Sequence, residues 1–517
     1  MKFRFQLFLV MLTVLFSLEG FTQELKFKVA GVPDTTVHLI KYVGTQRYYA
    51  DTAEIRNGIV TFDGSKQEQG ILGVLFPGQN YFEFIHAGEE IYMETKAPSF
   101  TLNMKVVKSQ QNKVFMEYVK FLSSNTENAK KMSAEKEALA EEDAEGRKAM
   151  DDKINSLSKK VKDYQKSLVE ANKGTFVSNL IYMSSDVEIP DSPKNPDGTF
   201  VDKEFGYKYF RDHYWDHVDF NDDRLVNTPV LQNKLEYFYS QQMLLPHPDT
   251  VIKYLTKVVD QIPKGTMMYR FFVTKITSNY EKSKIMGMDK VVNAFVLRYY
   301  CSKDEVGNRN GYWMEDDKLE EVCKDAQIRK RLVHGEIPPN VILTDTTSEN
   351  WRDFYSLESD YVILYFWDPG CGHCKKETPK LEKLYTQKLK ERNVEIFAVG
   401  KATGDDYEDW REFIRVNNLS FINVGLTDPV YKMAKSNPNM LIPSKTTLES
   451  LNYQETYDIF KTPQVWILDK DKKIIGKGLG VAQIEEFIDR LQGFEDAEKL
   501  FDVEEEAKEK AKETEHE

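Results

Sequence analysis

An apolar run, Tyr361-Val362-Ile363-Leu364-Tyr365-Phe366-Trp367, breaks at Asp368-Pro369-Gly370 and continues as Cys371-Gly372-His373-Cys374-Lys375-Lys376. The run has strand composition, Pro-Gly marks a turn, and the pattern beyond is helical. The chain must therefore hold an α/β unit with a dithiol at the start of a helix. Residues i and i+3 share one face of the first helical turn, where two sulfurs can bond or separate with little backbone movement.

The unpaired N–H groups and positive dipole end of such a helix stabilise a thiolate. Cys371 is expected to be the exposed thiol, with a pKa below the roughly 8.5 of a free cysteine. His373 adds positive charge when protonated, which favours the reduced form and makes the disulfide more oxidising. Cys374, one turn inward, is placed to resolve a mixed disulfide. The competing reading of CxxC is half of a zinc site, which needs a second Cys or His pair. Cys301 and Cys323 lie far upstream in a different kind of sequence, and no metal site is expected.

The stretch from Trp367 through Pro379, WDPGCGHCKKETP, resembles the TlpA/ResA-like branch of thioredoxin-fold thiol-disulfide oxidoreductases. The shared pattern is Trp, three residues, CxxC, a basic pair, Glu, one residue and Pro. The resemblance implies Cys371 as nucleophile, Cys374 as resolving thiol, and Glu377, with Trp367 and His373, as modulating groups. Tyr365 departs from thioredoxin itself, which keeps a buried aspartate there. Downstream, Thr462-Pro463 resembles the cis-proline element facing the dithiol, which makes Thr462 a candidate backbone contact for substrate. The alternative is an ordinary trans proline opening a strand.

Around these anchors the pattern predicts a helix over 371–392, a strand over 394–399, a helix over 405–416 and a strand over 421–424. A hairpin over 465–468 and 473–477 and a last helix over 482–491 follow, and 335–343 reads as an extended lead-in. The resemblance covers residues 333–492.

At 517 residues the chain exceeds the size at which one core keeps growing. Its fold class is multidomain α+β, in five segments. Residues 1–23 carry Lys2 and Arg4, an apolar run and a polar flank, the pattern of a secretory signal peptide. Residues 24–107 alternate apolar and polar positions between Pro, Gly, Asn and Asp, predicting an antiparallel β-sandwich-like module. That module resembles the β-rich domain of unknown function that often precedes TlpA-like domains. Residues 108–332 turn helical, with Met150, Ile154, Leu157, Val161, Tyr164 and Leu168 forming one apolar seam, and 125–145 able to pair with it. The thioredoxin-like domain spans 333–492. In the tail 493–517, 11 acidic against 4 basic residues supply about half of the net charge of −13 and suggest a frayed or disordered end.

Export points to a periplasm, where disulfides persist. An even cysteine count then allows Cys301 and Cys323 to form a structural disulfide, the alternatives being buried thiols or a second redox couple. His213 and His217 could ligate a metal at i, i+4, but no third ligand is identifiable. The acidic balance and lack of a basic patch argue against nucleic acid. The expected function is periplasmic thiol-disulfide exchange with cysteine-containing proteins. The protein would be soluble rather than membrane-spanning, need no organic cofactor, and use a redox donor or acceptor that the sequence does not name. Two other readings are a peroxiredoxin-like peroxidase, disfavoured by the CxxC, and a binding or scaffold protein whose thioredoxin fold is ancillary.

Overall fold

The structure, a computed structural model, describes residues 23–504. The expected signal peptide and the end of the acidic tail fall outside the described residues. The chain divides into two compact units, residues 1–243 and 244–517.

The first unit opens with β1 (Glu24–Ala30), β2 (Thr35–Val43), β3 (Gln46–Ile55), β4 (Ile59–Asp63), β5 (Gly70–Leu75), β6 (Tyr81–His86), β7 (Ile91–Lys96) and β8 (Lys105–Lys108). They form two four-stranded sheets, ordered β4-β1-β7-β8 and β3-β2-β5-β6. Phe27 of β1 meets Phe82 and Phe84 of β6 at ring distances of 5.4 and 4.8 Å, so the apolar faces close on each other. Contrary to an all-antiparallel module, β1 and β7 run parallel. Period-two alternation reports which face is buried and not the direction of the neighbouring strand.

A helical hairpin follows, from Gln110–Glu137 and Ala144–Ala171. Gln165 donates to the Tyr118 hydroxyl across it at 2.8 Å, and Phe121 packs on Tyr164 at 4.1 Å. The first helix starts well before the expected pairing segment because Asn112 ties it to β6. Its side chain accepts from the Ile85 N–H and donates to the Ile85 carbonyl, at 2.8 and 2.7 Å. Shorter helices, Phe176–Met183, Phe205–His213 and Pro229–Phe238, complete this unit.

The remaining helices, including Asp289–Phe295 and Asp316–Arg329, belong to the second unit, so the helical stretch 108–332 is shared between the two. Packing explains the division. Leu332 is buried with Val341 and Leu364 of the sheet described next, and Lys477 bonds both Asp289 and the Leu332 carbonyl at 2.7 Å. Arg329 reaches Asp458 at 2.6 Å. Cys301 and Cys323 are joined in a disulfide that ties the Asp316–Arg329 helix to the segment before it.

The second unit is built on a seven-stranded sheet of β9 (Ile342–Thr344), β10 (Trp351–Asp353), β11 (Tyr361–Trp367), β12 (Val394–Gly400), β13 (Ile422–Gly425), β14 (Gln464–Leu468) and β15 (Ile474–Lys477), in the order β10-β9-β13-β12-β11-β14-β15. Central β11 is parallel to β12 and antiparallel to β14. One face of β11, Ile363, Tyr365 and Trp367, packs under the helices Gly372–Leu384 and Val481–Gln492. The other, Val362, Leu364 and Phe366, meets Tyr453, Tyr457 and Leu332. Burial on both faces is why the run is continuously apolar.

The acidic tail begins as ordered structure. Glu485 accepts from the N–H groups of Leu500 and Phe501, and Asp489 binds Lys499 at 2.5 Å. These two carboxylates, each about 1% exposed, hold the returning chain that charge counting assigned to a frayed end.

Candidate active site

The turn after β11 is shaped by Asp368. Its carboxylate accepts from Gly370 N–H at 2.7 Å and its carbonyl accepts from Cys371 N–H at 3.1 Å. Asp and Asn favour such self-bonded turns, and here the turn sets Cys371 as the N-cap of the helix Gly372–Leu384, with extended φ −74° and ψ 127°.

The two thiols sit in different surroundings. Cys371 is partly exposed, and its thiol donates to the Thr462 carbonyl at 3.3 Å. The Thr462–Pro463 peptide bond is cis. Burial pushes the Cys371 pKa up, but the backbone N–H groups of Cys374 and His373 at the helix start outweigh it, and the thiol is more acidic than an ordinary cysteine. Cys374 is fully buried, receives the Asp368 N–H at 3.5 Å, and is pushed by burial up to about 12. One sulfur is therefore accessible and acidified, while the other is held as a shielded thiol.

Around this pair Trp367 is buried and packs on Phe413 at 5.2 Å. His373 is exposed in the first helical turn, and Glu377, one turn on, is paired with Lys380 at 3.3 Å. Tyr365 is buried beneath the helix with its hydroxyl 2.8 Å from that of Thr378, which lies on the same helical face as Cys374. Sequence reasoning missed Lys401, whose ammonium stands 3.4 Å from Asp368 and 3.0 Å from Asp406. It lines a cavity of about 200 Å³ with Trp367, Tyr453, Phe460 and Thr462. Phe460, 80% exposed, forms its lip. The signal for Asp368 was present, since Asp before Pro-Gly reads as a turn former, whereas Lys401 is brought in only by β12.

The structure thus unites Trp367, Cys371, His373, Cys374, Glu377, Thr462 and Pro463 at one edge of the sheet. His213 and His217 line one cavity, but among the described residues they belong to no cluster of three metal-ligating side chains. His213 bonds Asp216 at 2.6 Å and stacks on Tyr209, while His217 bonds Ser185 at 3.1 Å and stacks on Tyr182.

A thioredoxin-like family profile matches residues 359–474, and two domains of unknown function match 22–115 and 155–310. The thiol-disulfide oxidoreductase ResA of Bacillus cereus is 27% identical over 167 residues, 32% of this chain and 79% of ResA. Residues 359–474 are thus thioredoxin-like, and together with the ResA similarity they support a TlpA/ResA-like thiol-disulfide oxidoreductase carrying additional domains. A domain of a possible thiol-disulfide isomerase from Cytophaga hutchinsonii has 32% identity, with 31% of this chain and 93% of that chain covered and a TM-score of 0.25. A probable protein disulfide-isomerase A4 of Caenorhabditis elegans is 44% identical over 59 residues, 11% of this chain and 9% of that protein. The chain differs from a bare thioredoxin-like domain in carrying β-rich and helical segments upstream. No helix among its described residues is long and apolar enough to cross a membrane.

Proposed function

We propose that the protein is a periplasmic enzyme that exchanges disulfides with cysteine-containing proteins through Cys371 and Cys374, without a metal or organic cofactor. The Cys371 thiolate attacks one sulfur of a substrate disulfide, and the other substrate sulfur leaves as a thiolate that takes up a proton. Cys374 then loses its proton and attacks Cys371. The mixed bond breaks, the second substrate sulfur leaves as a thiolate that takes up a proton, and the enzyme pair, having given its two electrons to the substrate, is left as the Cys371–Cys374 disulfide. Run backwards, the same steps oxidise a dithiol. The observation that carries this reading is the contrast between an acidic, accessible Cys371 and a buried Cys374 held near 12.

Thr462 would offer its backbone to the incoming peptide, and Glu377, His373 and Trp367 would set thiol acidity around the pair. The CGHC sequence favours an oxidising or isomerising direction, because a cation beside the thiolate stabilises the reduced enzyme. The test is to trap covalent partners with Cys374→Ser, which should accumulate mixed disulfides on Cys371, and to measure the potential against glutathione. Absence of trapped protein with Cys374→Ser would overturn exchange, and a strongly reducing potential would reverse the assigned direction. Hydrogen peroxide consumption surviving in Cys374→Ser would instead support a peroxidase.

A further inference from the structure

The first unit contains a cavity of about 390 Å³ that thiol chemistry does not use. The helix Pro229–Phe238 presents Val230, Asn233, Lys234 and Tyr237 to it, a spacing that puts all four on one face. Phe210 and Tyr214 close the opposite wall, and Asp186 with Val187 lies at the rim. Lys234 carries the only ammonium among the lining residues. Its Nζ stands 4.0 Å from the Tyr214 ring centroid and 6.0 Å from that of Trp215.

Among the described residues no carboxylate forms an ion pair with Lys234. Glu236, two positions along the same helix, points elsewhere and accepts from Gln232 at 2.6 Å. Asp186 acts on the ammonium only at longer range. A cation–π contact returns about 0.5–2 kcal/mol, less than the several kcal/mol that desolvating an ammonium costs. Burial accordingly pulls the Lys234 pKa down to about 8, with Asp186 opposing. The amine stays cationic at neutral pH with room beside it for an anion. One point charge suits a monoanion, the acidic rim disfavours multiply charged ligands, and the aromatic walls suit an apolar body.

We propose that this cavity binds a small monocarboxylate with an aromatic or comparably apolar body. Its carboxylate sits on Lys234 with Asn233 as a second donor, and its body lies between Phe210, Tyr214 and Tyr237. The ligand is either a free acid or the C-terminal carboxylate of a peptide.

The test is calorimetric titration of the full chain with hydrocinnamate and with a tripeptide ending in phenylalanine, its terminus free or amidated. Hydrocinnamate should bind at one site, and Lys234→Met should weaken it about tenfold or more, the loss expected for one charge-assisted bond. Binding should also weaken as pH rises through about 8, where the ammonium is lost; of the other titratable groups facing it, Asp186 and Tyr237 line the wall, and Tyr214 stays neutral, burial holding its pKa well above the usual phenol range. Val187→Trp, which places an indole in the cavity mouth and leaves Lys234 in the sequence, should abolish binding and decides the matter if Lys234→Met does not fold. Binding of the free but not the amidated tripeptide assigns the natural ligand to chain ends, and binding of hydrocinnamate alone assigns it to free acids. No heat with hydrocinnamate at millimolar concentration, or equal binding in Lys234→Met and Val187→Trp, overturns the proposal.

Discussion

Cys371 and Cys374 share a sequence motif and one helical turn, yet a few backbone N–H groups and the depth of burial separate their acidities. The lowered pKa of Cys371 means that its thiolate persists to more acidic pH than in a free cysteine. The pH profile of iodoacetamide alkylation should therefore show a midpoint below the roughly 8.5 of an unperturbed thiol, with Cys374 unlabelled until the protein unfolds. A midpoint at or above that of free cysteine would contradict the helix-start stabilisation. Tyr365 gives a second expectation at this scale. Tyr365→Phe removes one partner of a buried hydroxyl pair and leaves Thr378 without it, so urea unfolding should show a loss of about 1–2 kcal/mol. The thiols and their order were legible from spacing alone. Thr378 and Lys401 were not, because their proximity to the dithiol is created by strand pairing and helix packing that no local pattern encodes.

Among the elements, the helix Val481–Gln492 is held by charge as much as by its apolar face. Asp489 is buried and bound by Arg392, Lys499 and, at 4.0 Å, Lys388. Burial alone would raise its pKa, but the bonds from Lys499 and Arg392 outweigh that and hold the carboxyl below the usual range. A depressed carboxylate contributes stability above its unfolded pKa, near 3.9, and that contribution is lost as pH falls through the lower folded value. Asp489→Ala should cost about 3 kcal/mol at pH 7, where it takes the carboxylate from Arg392 and Lys499, and the difference from wild type should shrink as the medium is acidified below about pH 4. Chemical denaturation at pH 7 and pH 3 checks both. The strands and helices expected in this region were legible to within a residue or two at most ends, since long apolar runs and 3.6-residue periodicity survive in the fold, whereas the stretch after β13, expected as a loop-rich insertion, holds the helix Asp428–Ser436. The three-residue strands β9 and β10 were not, because so short a segment has no period to read.

At the scale of the whole molecule, the sheet unit extends upstream of the thioredoxin-like profile. Leu332 inserts into its core, and Arg329 and Asp289 bind residues of the sheet side. A fragment of residues 244–517 should melt in one cooperative transition and retain the acidic Cys371. A fragment of 333–517, which lacks these contacts, should melt several degrees lower, as expected for a loss of roughly 1–2 kcal/mol in a domain of this size. Equal melting temperatures would show that the helices add nothing to the sheet. The upstream segmentation was harder to read, because helical periodicity reports an amphipathic face without naming what that face will cover.

The carbonyl that receives the Cys371 thiol lies 91 residues further along the chain. The strand that follows it, β14, pairs with β11 although β12, β13 and their helices intervene in the sequence. Such distant closure is slow relative to local helix formation. The dithiol precedes its docking ledge in the chain, so a chain that has not finished folding presents both sulfurs in an incomplete setting. The mature reactivity of the pair is a late product of folding, and thiol accessibility along a refolding time course doubles as a clock for completion of the sheet.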